Sequence, residues 1–328
     1  MRRRTFIALL GGAATAPSML GPLSARAQEP PKLLRVGTVS LNPRNSAQRR
    51  AFEQRLRELG YIEGQNLVIE FITTPDRADL IDEAARELVR RKVDIFMQEN
   101  HITLKSVMSA TSILPIVVVA TSFDPVALGV VASIARPGGN VTGFYVRRPE
   151  LVEKQIGLLA EAFPGRTRLG VLWDAVSGES FTAAERTASA LRWGFEPLKL
   201  EHPPYDFVAA LRSLAQRGAQ MVLVLHSGLF TADRAHIAAL ALQHGLPSMF
   251  TDKLYADAGG LMSYGPDLAS VFGRAADYID RIAKGAKPAD LPIDQPTSFV
   301  FTLNLKTARA LGLDIPATVL ARADEVIE

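Results

Sequence analysis

Three short polar stretches begin where apolar runs stop: Ser40-Leu41-Asn42, Glu99-Asn100-His101 and Thr121-Ser122-Phe123-Asp124. Further along, Trp173-Asp174, His226-Ser227 and Thr251-Asp252-Lys253 end apolar runs in the same way. Hydroxyls, carboxylates, an ammonium and two imidazoles collected at strand ends can hold a small polar solute. They can also support acid–base chemistry or, less simply, a metal ion. A metal would need His101, His226, Glu99 and Asp174 to converge, and no close His spacing supports that; none is expected, and no cofactor either. His202, His236 and His244 fall in loops or on helix surfaces and read as solvated.

The stretch "ATSFDP" carries the sharpest expectation. Asp124 before Pro125 reads as an N-cap followed by a proline at the first helical position. Its carboxylate then occupies the N–H groups that a phosphate would need. Neither GxGxxG nor a P-loop occurs, so a nucleotide cradle is disfavoured. Thr121 and Ser122 stay free to hold a solute carboxylate, and Asp174 or Asp252 could take an ammonium. Phe123, Tyr145, Trp173, Phe230 and Tyr255 lie near these loops, with Trp173 the foremost candidate for stacking on a ring. An enzyme is the rival reading, but neither GxSxG nor HExxH is present, and Ser227 beside His226 lacks the preceding glycine.

The elements that position these residues alternate. "LLRVGTVS", "NLVIEFITT", "VDIFMQE" and "PIVVVATS" read as strands. Amphipathic helices separate the early ones, as in "SAQRRAFEQRLRELG", where Phe52, Leu56 and Leu59 share a face and Gly60 stops the helix. Gly138-Gly139 after Pro137 read as the stop of a helix and the start of a strand. Near-continuous apolar strands between helices indicate a parallel sheet covered on both faces. The alternation then repeats from "PELVEKQIGLLAEAF" through "LPSMFTD" as a second doubly wound unit. "LMSYG", a long helix, "TSFVFTLN", "LKTARALGL" and a short C-terminal helix follow and are too few for a third core. The predicted fold is therefore α/β, with two Rossmann-like doubly wound lobes, about three crossovers and a ligand cleft between them. The expected division is 33–145 plus 262–288 for lobe one and 146–261 plus 289–328 for lobe two. In such sheets ligands bind beyond the carboxyl ends of the strands, which is where the polar stretches lie.

The chain of 328 residues has 48% hydrophobic and 22% charged residues, a globular composition of two-lobe size. It opens on "MRRRTFIALLGGAATAPSMLGPLSARAQ", a basic start, an apolar middle and small residues at Ala25 and Ala27. This reads as an export signal cleaved after Ala27, with Arg3-Arg4 resembling the twin-arginine pattern. Gly11, Gly12, Pro17, Gly21 and Pro22 argue against a membrane anchor. Four of the 37 basic residues and none of the 34 acidic ones lie in residues 1–27. Without that segment 33 bases face 34 acids, so the formal charge of +3 gives no case for a nucleic-acid partner. The absence of cysteine excludes disulfides, thiolate metal sites, a Cys nucleophile and a lipoprotein anchor.

"RELGYIEGQNLVIEF", "RPGGNVTG", "GGLMSYG", "KPADLPIDQPTSFVFTLNLKTARALGLDIP" and "LARADEVIE" resemble, in order, a family of ABC-transporter substrate-binding proteins. Some members of that family bind aromatic amino acids. The resemblance implies a type I periplasmic-binding fold, a small-molecule solute, a permease in the inner membrane as partner, a periplasmic location and no catalysis. A monomer is expected. In related branched-chain amino-acid binders an Ala and a Thr at this strand end touch the ligand, and Ala120 and Thr121 match by position. A periplasmic partner of a sensor is the alternative use of the same fold.

Overall fold

The computed structural model describes residues 33–41, 44–74 and 77–328. The expected export signal and Asn42 lie outside the described residues. The first sheet is built from β1 (Leu34–Ser40), β2 (Leu67–Thr73), β3 (Ile95–Gln98), β4 (Ile116–Ala120) and β5 (Val141–Tyr145), in the order β2-β1-β3-β4-β5, all parallel. The helices α1 (Ala47–Glu58), α2 (Ile81–Arg90) and α3 (His101–Ala110) connect its first four strands. One face buries Val36, Phe52, Val117 and Val119, the other Phe96, Leu104, Val118 and Ala120. Strands buried on both faces must be apolar throughout, which is why these runs lack alternation.

Next come α4 (Arg148–Ala162), β6 (Arg168–Asp174), α5 (Gly178–Ala190), β7 (Gly194–Leu200), α6 (Phe207–Gln216), β8 (Met221–Val224), α7 (Gly228–Ala232), α8 (Arg234–Gln243), β9 (Ser248–Phe250) and α9 (Lys253–Asp257). The chain ends with β10 (Met262–Pro266), α10 (Leu268–Ala283), β11 (Phe299–Asn304), α11 (Leu305–Ala310), α12 (Ala317–Leu320) and β12 (Glu325–Ile327). The second sheet runs β12-β11-β10-β9-β8-β6-β7, parallel except between β10 and β11. The protein is thus two α/β lobes, each a mainly parallel sheet between helices.

Three connections join them. The first leaves β5 and enters α4. The second leaves β10 of the second sheet for α10, which packs along α1 on the first. The third returns through 291–298, where Asp294 bridges Phe144 of β5 before the chain enters β11. The last two run side by side, with Asp267 N bonded to Ser298 O at 3.1 Å. The boundaries expected at 262 and 288 shift accordingly. Met262–Pro266 is hydrogen-bonded into the second sheet, whereas Leu291 and Ile293 are buried in the first lobe.

Other local expectations also change. Residues 125–136 form turns and bends instead of a helix. The C-terminal helix is α12, and the chain then closes in the edge strand β12 beside β11. Two glycines in the quoted motifs have steric causes. Gly143 has φ +137°, and a Cβ there would lie 2.0 Å from Val118 O. At Gly265 a Cβ would lie 1.9 Å from Thr251 O. Both glycines let one strand pass close to its neighbour just before the chain changes lobe.

Candidate functional site: the junction cavity

The carboxyl ends of β4 and β5 in the first lobe face those of β6 and β8 in the second across a cavity of about 280 Å³. Thr121, Ser122, Phe123, Asp124, Leu128 and Tyr145 line it from the first lobe. Arg148, Pro149, the stretch 175–180 and His226 line it from the second.

Asp124 is held as the sequence suggests, though it caps a turn and no helix. Its Oδ1 accepts from Val126 N at 2.7 Å and Ala127 N at 3.0 Å, and its Oδ2 from the Tyr145 hydroxyl at 3.3 Å. Burial, reinforced by the Asp124 carboxylate, raises the Tyr145 pKa, so the phenol stays protonated. The opposite wall is another cap. Asp174 Oδ1 accepts from Val176 N at 3.2 Å, and the Ser177 hydroxyl accepts from Asp174 N at 3.1 Å. This reciprocal pair fixes the turn that leads into α5, and Tyr205 donates to Asp174 Oδ2 at 3.3 Å.

The floor is a buried ionic network. Arg148 Nε donates to Thr121 O at 2.5 Å and Nη2 to Asp252 Oδ1 at 3.2 Å. His226 Nδ1 lies 3.0 Å from Asp252 Oδ2, and Thr251 Oγ1 donates to the same oxygen at 3.1 Å. Burial alone would raise the Asp252 pKa, but the Arg148 guanidinium, helped by His226, holds it well below the carboxylate range. The ionised carboxylate makes Nδ1 the protonated nitrogen of His226, which leaves Nε2 as an acceptor.

Burial, with the Arg148 charge adding to it, lowers the His226 pKa from its ordinary 6.5. The unfolded chain takes up a proton near that pH that the folded protein refuses until the medium is more acidic. Stability should therefore fall with pH below about 6.5, by up to about 1.4 kcal/mol per unit for one group. His226→Gln should flatten the stability profile between pH 7 and pH 5. Denaturant unfolding across that range checks it, and an unchanged slope in the variant would assign the pH dependence elsewhere.

Of the candidates read from the sequence, Thr121, Ser122, Asp124 and His226 meet at this cavity, with Asp174 and Asp252 directly behind its walls. Ala120 is buried, its carbonyl taken by Val146 N at 2.9 Å. Ser40 belongs to another cluster, where its hydroxyl donates to Glu99 Oε1 at 3.1 Å and buried Arg49 reaches the same oxygen at 3.4 Å. Asn100 caps α3 through Ile102 N at 2.7 Å, and His101 packs against Phe123 at 5.4 Å between ring centroids. Trp173 stacks on Phe181 at 4.1 Å and not at the cavity. Phe230 and Tyr255 are buried in the second lobe's core. Ser227 is buried at the start of α7. Lys253 pairs with Asp257 and Glu325 on the surface. Among the described residues, no group of three or more His, Asp or Glu could hold a metal ion. No described helix is long and apolar enough to cross a membrane.

Arg148 was not among the candidates. It follows β5, whose carboxyl end also faces the cavity. A cation in the first turn of a helix opposes the helix dipole, and that is a signal the sequence does carry.

Two doubly wound lobes, three connections and a cavity walled by both define a bilobal binding protein of the type I periplasmic kind. The chain belongs to the ABC transporter substrate binding protein family, whose profile matches residues 39–327. It is similar to a tyrosine-binding protein of Clostridioides difficile, with 22% identity over 269 residues, 81% of this chain and 76% of that one. A conserved domain protein from Vibrio cholerae has the same fold, with TM-score 0.81 and 25% identity over 90% of this chain and 100% of its own. So does an ABC domain from Streptococcus pneumoniae in complex with L-Trp, with TM-score 0.78 and 23% identity over 90% and 99%.

Proposed function

We propose that this protein is the exported solute-binding component of an ABC importer, and that it captures a small organic solute by closing its lobes. An amino acid or an aromatic carboxylate is favoured. The observation that carries this reading is the junction cavity, with hydroxyls and an ionic floor on one side and Phe123, Leu128, Val146 and Val176 as apolar wall. Binding sites typically pair an apolar lining with a few polar groups, and a volume of about 280 Å³ suits a small solute. The tyrosine and tryptophan ligands named for two relatives agree with this class. Closure would follow from the solute's preference for the closed form, with the three connections as hinge. The permease would read the closed form, and the solute would leave chemically unchanged. Residues 1–27 would direct export by the twin-arginine route, with cleavage after Ala27.

A thermal-shift screen across amino acids, aromatic acids, sugars and peptides tests the capture. A true solute at 100 times its Kd should add about 2.7 kcal/mol to stability. Thr121→Ala should weaken that solute about tenfold or more while leaving the ligand-free protein nearly as stable. A screen in which nothing stabilises the protein would remove the reading.

A further inference from the structure

Arg148 is the one residue of the cavity lining that bonds to both lobes through a buried cation. Its side chain is 7% exposed. Nε is taken by the Thr121 carbonyl of the first lobe and Nη2 by Asp252 of the second. Nη1 is buried and has no hydrogen-bond partner. A guanidinium has five donors in one rigid plane and no acceptor. A buried donor left unmade is costly, more so on a charged group. Asp252 does not serve it, because Oδ1 receives Nη2 while Oδ2 receives His226 and Thr251. Asp124 is occupied by two backbone N–H groups and the Tyr145 hydroxyl. Arg148 lines the cavity, and neither neighbouring carboxylate has an oxygen left over for Nη1.

We propose that Arg148 Nη1 anchors an oxygen of the solute's carboxylate, beside the Thr121 and Ser122 hydroxyls, with the apolar remainder of the solute against Phe123, Leu128 and Val176. This rests on the cavity being the solute site and adds the group that selects the solute. Asp252 and His226 are positioning residues: they touch the guanidinium or its partner and hold its plane. Because the same guanidinium ties both lobes, the solute docks on the joint itself.

The test measures binding of L-tryptophan, L-tyrosine and benzoate by calorimetry, against tryptamine, tyramine and benzyl alcohol, which lack the carboxylate. The proteins are the wild type, Arg148→Lys, and the double variant Arg148→Met/Asp252→Leu, which leaves no unpaired charge if the single change impairs folding. At least one carboxylate should bind the wild type and lose about 10- to 100-fold in both variants. Its counterpart without the carboxylate should bind weakly and equally to all three. Equal binding of a carboxylate to wild type and variants overturns the anchor while leaving solute capture intact. Failure of every carboxylate on wild type overturns the anchor too, and a sugar or amine that does bind then shows capture with a different selector.

Discussion

Gly143→Ala is expected to cost about 3–5 kcal/mol and to lower the melting temperature by roughly 6–15 °C. Two causes add. The residue's φ of +137° suits glycine alone, and the new methyl carbon would sit 2.0 Å from Val118 O and 2.6 Å from Val118 N. Both clashing atoms are backbone, so β4 and β5 would have to part. Parting them disturbs the ladder around the Val118–Gly143 pair and the bond from Asp294 N to Gly143 O. Since β4 leads directly into Thr121 and Ser122, solute affinity should fall together with stability. Gly157→Ala, on α4 with nothing within 4 Å of the added carbon, should instead stabilise by about 0.5–1 kcal/mol. Chemical denaturation of both variants decides the matter. A harmless Gly143→Ala would mean that the strands have room the structure does not show.

Asp252→Ala should cost about 3–5 kcal/mol, because it leaves the Arg148 cation buried without its counter-ion. His226 and Thr251 lose their acceptor in the same step. The double variant Arg148→Met/Asp252→Leu should recover most of the loss, since an apolar pair of similar volume often replaces a buried ion pair at little cost. The wild type, Arg148→Met, Asp252→Leu and the double variant form a double-mutant cycle by denaturant unfolding, and additive losses would show that the two side chains are not coupled. In the wild type, the depressed Asp252 pKa contributes stability above its ordinary 3.8 that is lost as the pH falls further. That contribution should be absent from Asp252→Ala.

The lobes and their three connections were legible because strand and helix periodicities are local. Lobe membership was less so: "LMSYG" reads as a strand, yet nothing within it says which sheet it joins, since pairing with β9 and β11 is set at a distance. The helix α3 escaped notice because polar Thr103 and Ser106 are buried beside Leu104 and Val107, which blurs its apolar stripe. Without that helix in view, its cap, Asn100, looks like a free strand-end amide. The Asp124 cap was recognised, but Gly129, at φ +67°, ends the turn before a helix can grow. For the cavity, strand ends in sequence pointed to Thr121, Ser122, Asp124 and His226. Trp173 was misplaced because a strand-end ring can turn either way, and here Phe181 offers it a stacking partner. Arg148 is not legible from strand ends, because it lies at the first position of α4, three residues beyond the end of β5.

The packing of α10 on α1 also dictates an order of assembly. The face of the first sheet that holds Val36, Phe52 and Val117 is completed by Phe272, Ala275 and Ile279, which emerge from the ribosome more than 200 residues after Phe52. The first lobe thus cannot finish folding while the second is being made, despite preceding it in the chain. An unfinished polypeptide carries this open apolar face until residue 283 has been synthesised, and such surfaces invite aggregation and chaperone capture. Chain-release experiments should accordingly find protease resistance arising in both lobes together, near the end of translation, and not lobe by lobe.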